Sequence, residues 1–230
     1  ASRIKWGGAV HNDGSMTDAC LRKAIRTASG VQAVSNFRPT ASASIYYHYA
    51  QDGVVWDMCG GYGGRLLGAY ASGKGKKYIC TEPCTKTYNG LVKMKNELPD
   101  LNNNLFNSKM EVELYKCGAE DFLPKEKVDL CFSSPPYFNT ERYSDENTQS
   151  FKKYPTKEEW VNGFLKQMLT NCIKSLKENG KILINISNVK SFNNLEEETI
   201  RICNELDLKL ENTLKLRLSS LYAGGFKYEP

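Results

Sequence analysis

From residue 53 onward the chain alternates short apolar runs of strand length with longer segments whose apolar residues return every three or four positions. A short apolar run bounded by turn residues fits a buried strand, and the longer period fits an amphipathic helix. The pattern predicts strands over 53–57, 77–81, 111–117, 128–132, 181–186 and 209–218, with a further strand starting at 226–230. Helices are predicted from about residue 65, over 84–98, from Thr156 to the Asn179-Gly180 pair, and over 195–206. Pro99 is expected to close the second of these, because the residue before a proline disfavours the helical conformation, leaving 100–108 as a loop. The third helix has the clearest signals. Thr156 and Glu159 form a capping box, and Trp160, Phe164, Met168, Cys172 and Leu176 repeat at helical spacing beside Val161, Leu165, Leu169 and Ile173. Gly180 suits a left-handed cap at its end. Ahead of the alternation, 16–28 and 39–50 read as helices, the latter opened by Pro39.

Strands alternating with helices call for a mainly parallel sheet covered on both faces. No repeat or linker divides the 230 residues, so 53–230 are read as one α/β domain and 1–52 as a helical segment packed on it. No apolar run approaches a bilayer span and residues 1–10 lack a secretory pattern, so a cytoplasmic protein is expected. Of eight cysteines, Cys59, Cys80, Cys131, Cys172 and Cys203 lie in or beside apolar runs and read as reduced core residues. Cys80 and Cys84 are spaced like half a metal site, but no second Cys or His pair follows at zinc spacing, so no metal is expected. The net charge of +5 permits a polyanionic partner without demanding one.

The chemistry concentrates in two places. Strand 53–57 runs into Asp57-Met58-Cys59-Gly60-Gly61-Tyr62-Gly63-Gly64, a turn whose glycines let a ligand approach the backbone. Such a turn serves dinucleotides, methyl donors or plain tight geometry. A dinucleotide fingerprint needs glycine at 66, which is Leu66. Asp57 beside the turn would repel a pyrophosphate and attract an ammonium or sulfonium. Glu82, ending the next strand, suits the two hydroxyls of a ribose. The second place is Ser133-Ser134-Pro135-Pro136-Tyr137, at the end of strand 128–132.

Asp57-x-x-x-Gly61-x-Gly63 resembles the first motif of the class I S-adenosylmethionine methyltransferases. Ser134-Pro135-Pro136-Tyr137 resembles the fourth motif of the amino-group DNA methyltransferases, which read Asp, Asn or Ser, then Pro-Pro, then an aromatic. The resemblance covers about residues 36–180 and implies an α/β, Rossmann-like sheet of seven strands, mostly parallel with an antiparallel last strand, and helices on both faces. It implies S-adenosylmethionine as cofactor, with Asp57 near its methionine end and Glu82 on its ribose. Cys59, Gly60, Gly61, Gly63, Pro83 and Ser133 are implied as further contacts. Phe37, Arg38, Pro39 and Thr40 are similar to the segment that closes over the methionine end, and Glu120 and Asp121 lie where such enzymes hold the adenine.

The second motif also has a chemical rationale. An exocyclic amino group on a base is a poor nucleophile because its lone pair is delocalised into the ring. Two acceptors gripping its N–H bonds would orient that lone pair, and Ser134 Oγ and the Pro135 carbonyl are the candidates. Successive prolines fix φ and remove donors, and Tyr137 offers a stacking face. A base inside a duplex must be flipped out to reach them. The expected activity is site-specific methylation of cytosine N4 or adenine N6 in DNA, as in restriction-modification, with RNA or protein amino groups as the alternative and a non-catalytic nucleotide-binding module as a third. Ligands of open parallel sheets bind beyond the carboxyl ends of the strands. That rule favours loops 138–154 and 217–227 for contact with double-stranded DNA, the first through Arg142, Tyr143, Lys152, Lys153 and Tyr154.

Overall fold

The computed structural model describes residues 36–105 and 109–216. In chain order the elements are α1 (Pro39–Tyr49), β1 (Val54–Asp57), α2 (Gly64–Ser72), β2 (Lys77–Thr81), α3 (Thr85–Leu105) and β3 (Glu111–Tyr115). A 3-10 turn (Ala119–Asp121) precedes β4 (Val128–Ser133), and α4 (Ser150–Lys153) leads to α5 (Lys157–Trp160). That helix continues through a π-helical stretch (Val161–Lys166) into α6 (Gln167–Ser175), followed by β5 (Leu176–Ile184) and α7 (Leu195–Glu205).

The five strands pair in parallel in the order β3-β2-β1-β4-β5. The period-two alternation of side chains divides each strand between two cores. Val54 and Trp56 of β1 face Trp160, Phe164, Met168, Leu195 and Ile202 from α5, the π-helical stretch, α6 and α7. Val55 faces the opposite layer of α1, α2 and α3, through Tyr46, Leu66, Ala69 and Leu91. Helix α1 therefore contributes Tyr46 to the core that underlies the β1 turn. Strand order reverses between β1 and β4, so the ends of these two strands flank the crevice where open α/β sheets bind ligands.

Three expectations need correction. Helix α3 does not stop at Pro99 but runs through it to Leu105; a proline removes one backbone bond without forbidding the flanking ones, and Leu98 just ahead of it is buried in the core. Gly180 does not cap a helix. Helix α6 ends at Ser175, Leu176 is already extended at ψ 145°, and 176–180 belong to β5. Val128 pairs with Leu176 while Leu130 pairs with Lys181, so the Asn179-Gly180 segment bulges from the edge strand. Residues 209–216 form no strand; Leu210 and Leu214 stand exposed and apolar alternation alone finds no partner edge there. The sheet described has five parallel strands, and no antiparallel last strand is among the described residues. The predicted helix 16–28, the start of a strand at 226–230 and loop 217–227 lie outside the described residues.

Candidate active site

The turn after β1 is built on Asp57. Its carboxylate is fully buried and accepts four hydrogen bonds: from Arg65 Nε (2.9 Å) and the Tyr78 hydroxyl (2.6 Å) on one oxygen, and from the Ser133 hydroxyl (2.9 Å) and the Cys59 amide (3.2 Å) on the other. Arg65 also donates to the Cys59 carbonyl. Ser133 Oγ accepts from the Cys59 amide at 3.0 Å, which ties the end of β4 to the turn. Gly61 and Gly63 then take φ of 54° and 80°, the left-handed region that glycine enters without penalty. Cys59 is surrounded by this network, and burial beside Asp57 pushes its thiol pKa well up, so it stays a neutral thiol rather than a nucleophile.

A cleft opens between this turn and the end of β4. Of the residues expected to hold cofactor or substrate, Cys59, Gly61, Glu82, Pro83, Glu120, Ser134 and Pro136 line it. Glu82 is buried and accepts from the Gly61 amide and the Cys84 amide, both at 2.9 Å. Burial raises its pKa from 4.5 to about 7. Glu120 is bound on one oxygen by Lys153 Nζ at 2.6 Å, and its other oxygen is buried without a partner.

Other expected residues are nearby but do not line the cleft. Asp57 lies beneath the turn, its charge already met by Arg65, so it organises the turn instead of presenting a carboxylate to a ligand. Gly60 is closed against Cys80 and Leu91, and Gly63 against Met94. Asp121 points to Lys153 at the surface (2.6 Å). The segment Phe37, Arg38, Pro39 and Thr40 docks on α2 instead of the cleft: Asn36 Oδ1 accepts from the Gly64 amide at 3.0 Å, and the Phe37 ring packs edge-on against Phe132 with the Arg65 guanidinium over it. A Cβ on Gly64 would collide with the Phe37 carbonyl, so the glycine's role is to admit this segment.

The Ser-Pro-Pro-Tyr turn is held by a residue that the sequence reading missed. Asn185, one past the end of β5, donates its backbone amide to the Ser133 carbonyl (2.9 Å). Its carbonyl accepts from the Tyr137 hydroxyl (3.2 Å), and its side-chain amide donates to Ser134 Oγ (3.1 Å) and Tyr137 Oη (3.3 Å). A polar residue interrupting the apolar run that ends β5 was the available signal. After the motif, Phe138 adopts φ 54°, a strained conformation for a bulky residue. It is retained by packing of its ring against Trp160 and Phe192.

Loop 138–154 folds back over the cleft. Glu146 accepts from the backbone and hydroxyl of Thr85 at the start of α3, Thr148 donates to the Pro83 carbonyl, and Lys153 binds Glu120 and Asp121. Glu141, Tyr143, Thr148, Gln149, Ser150 and Phe151 line the cleft. Arg142 lies over the Phe151 ring and Lys152 reaches the Asp145 carbonyl, both exposed. The loop carries as many acids as bases, and of its basic residues Lys153 is engaged by Glu120 and Asp121.

This fold, with its cleft at the crossover of the sheet, is that of a class I methyltransferase. A protein from Clostridium thermocellum described as an rRNA methylase superposes with a TM-score of 0.50 at 13% identity, over 76% of this chain and 83% of that one. DesVI of Streptomyces venezuelae is similar over 77% of this chain and 60% of its own, with a TM-score of 0.43 and 14% identity. The precorrin 8W decarboxylase of Methanobacterium thermoautotrophicum matches over 77% and 75%, with a TM-score of 0.48 and 14% identity. No curated protein matches the sequence. Residues 128–222 match the DNA methylase family of N6 and N4 methyltransferases. S-adenosylmethionine as cofactor accords with that match and with the methyltransferase fold. Among the described residues no helix is long and apolar enough to cross a membrane, and no group of three or more His, Cys, Asp or Glu is placed to hold a metal ion.

Proposed function

We propose that the chain transfers a methyl group from S-adenosylmethionine to the exocyclic amino group of a flipped-out DNA base, cytosine N4 or adenine N6. The observation that carries the reading is the juxtaposition across one cleft of the glycine turn after β1 and Ser134-Pro135-Pro136-Tyr137 after β4, linked by Ser133 to Asp57, within the segment that matches the DNA methylases.

The residues present fit the methyl donor. Glu82, fixed by two backbone amides, retains lone pairs for ribose hydroxyls. The buried, unpartnered oxygen of Glu120 calls for a donor such as the amino group of adenine. Acids line the cleft and no Lys, Arg or His does, which suits a cationic ligand and opposes a pyrophosphate. When bound, the donor supplies an electrophilic methyl carbon on a sulfonium.

The chain's own part is orientation. Ser134 Oγ and the Pro135 carbonyl accept the two N–H bonds of the target amino group and direct its lone pair. Asn185 holds the Ser134 oxygen and the Tyr137 ring in place, so little reorganisation remains at the moment of reaction. No strong base is needed, because the methylated ammonium product is a strong acid. Exposed Arg142 and Lys152 flank the cleft as phosphate contacts for DNA, with loop 217–227 as a second contact.

Labelled methyl transfer to duplex DNA, RNA and protein tests this reading, followed by nucleoside analysis of the product. Label in N4-methylcytosine or N6-methyladenine of DNA is the expected result. Label in RNA or protein alone overturns the DNA assignment.

A further inference from the structure

The sequence placed Asp57 at the cationic end of the methyl donor, but the fold has neutralised it. Its carboxylate is fully buried, spent on four protein donors and paired with Arg65 at 2.9 Å. The free amino-acid end of S-adenosylmethionine carries an ammonium with three N–H donors, and these need acceptors and a counter-charge. The lining of the cleft contains three acids. Glu120 already has a cation, Lys153 at 2.6 Å. Glu82 is held between the Gly61 and Cys84 amides at the end of β2, the position suited to the ribose.

Glu141 remains. It is partly buried in the cleft wall and has no ion-pair partner among the described residues. Its one hydrogen bond is from the Tyr143 hydroxyl, a long 3.3 Å, which leaves most of its acceptor capacity open. Tyr143 in turn stands over the turn, its hydroxyl about van der Waals distance from where a Cβ on Gly61 would be. Glu141 is therefore beside the glycine turn on one side and four residues from Tyr137 on the other.

We propose that Glu141 binds the ammonium of the methyl donor's amino-acid end, the role that the sequence pattern assigned to Asp57. The sulfonium is a poorer fit for this carboxylate, since it has no N–H to donate and must stay open to the target nitrogen beside Ser134. A cofactor contact carried by the catalytic loop also means that cofactor binding anchors the loop bearing Tyr137.

This proposal rests on the methyltransferase reading and deepens it. The test is calorimetric binding of three ligands to wild type and Glu141→Gln: S-adenosylmethionine, S-adenosylhomocysteine and 5′-methylthioadenosine. The first two share the ammonium, and the third lacks the amino-acid end. The variant should bind both of the first two about 10- to 100-fold more weakly, the range of a lost charge-assisted hydrogen bond, and 5′-methylthioadenosine with unchanged affinity. Unchanged methylthioadenosine binding also shows that the variant is folded. Equal affinities of wild type and variant for all three overturn the proposal. So does a loss confined to S-adenosylmethionine, which would assign Glu141 to the sulfonium. Failure of the wild type to bind S-adenosylmethionine at all would instead overturn the cofactor reading beneath it.

Discussion

Asp57 and Arg65 form an ion pair from which water is excluded, at 0% and 5% side-chain exposure. Taking both charges out of water is costly, and leaving one alone is costlier still. Arg65→Ala should therefore destabilise the protein by about 3–5 kcal/mol, and Asp57→Ala by a comparable amount. The double variant should cost less than the sum, because no orphaned charge remains. Urea denaturation of the four proteins measures the coupling; additive losses would show that the pair is not acting as a unit. Glu82 makes a different prediction, about pH. Its pKa rises from 4.5 unfolded to about 7 folded because burial opposes its charge. The folded state thus holds the proton longer than the unfolded chain. The stability contributed is fully present below about pH 4.5 and is lost as pH rises through about 7, a change of about 3 kcal/mol at 1.36 kcal/mol per unit. The difference in unfolding free energy between wild type and Glu82→Gln should shrink by that order over this window, with no ligand present. A flat difference would contradict it.

At the scale of elements, the Ser-Pro-Pro-Tyr turn is a joint between two strands. Strand β4 delivers Ser133 and Ser134, and the residue after β5 reaches across to hold them. Tyr137 has a single hydroxyl proton, spent on the Asn185 carbonyl, so it accepts from the Asn185 side chain; the amide nitrogen must face the turn, and Ser134 Oγ accepts from it too. Asn185→Asp has the same shape but, when ionised, no proton to donate. It should lower single-turnover methylation about 10-fold, the scale of one or two lost hydrogen bonds, with cofactor affinity unchanged. Its activity relative to wild type should recover as pH falls and the introduced carboxyl regains a proton. Loss of cofactor affinity in step with rate would mean that Asn185 merely supports the fold. The capping box of α5 is a second element-scale feature, and here sequence and structure agree in detail: Thr156 Oγ1 accepts from the Glu159 amide at 3.2 Å, and Glu159 accepts from the Thr156 amide at 3.1 Å.

For the molecule as a whole, the arrangement follows from the order of the strands. Chain growth from β1 to β3 runs one way across the sheet, and β4 returns to the other side of β1. That reversal separates the turns after β1 and β4 and opens the cleft between them. Loop 138–154 then roofs the cleft, tied down by Lys153 on Glu120 and Asp121 and by Glu146 on Thr85.

Local signals were enough to find most of this. The apolar runs located β1, β2 and β4, because a strand buried on both faces is apolar over most of its length. Gly61, Gly63 and the proline pair marked the two turns that flank the cleft, because those residues permit or impose such backbone. The ends of α3 and α6 were misread, since Pro99 and Gly180 express preferences that the buried Leu98 and the pairing of 176–184 with β4 override. Asn185 drew no notice because its contacts to Ser134 and Tyr137 span about 50 positions of chain, and Glu141 because only the tertiary structure places it in the cleft wall. Asp57 illustrates the division most clearly. Its place at the end of a strand was written in the sequence, but whether its charge would face a ligand or a buried arginine depended on helix α2 carrying Arg65 back beneath the turn. Only tertiary structure decides which charges are already paired, because pairing is a matter of distance and desolvation rather than of order along the chain.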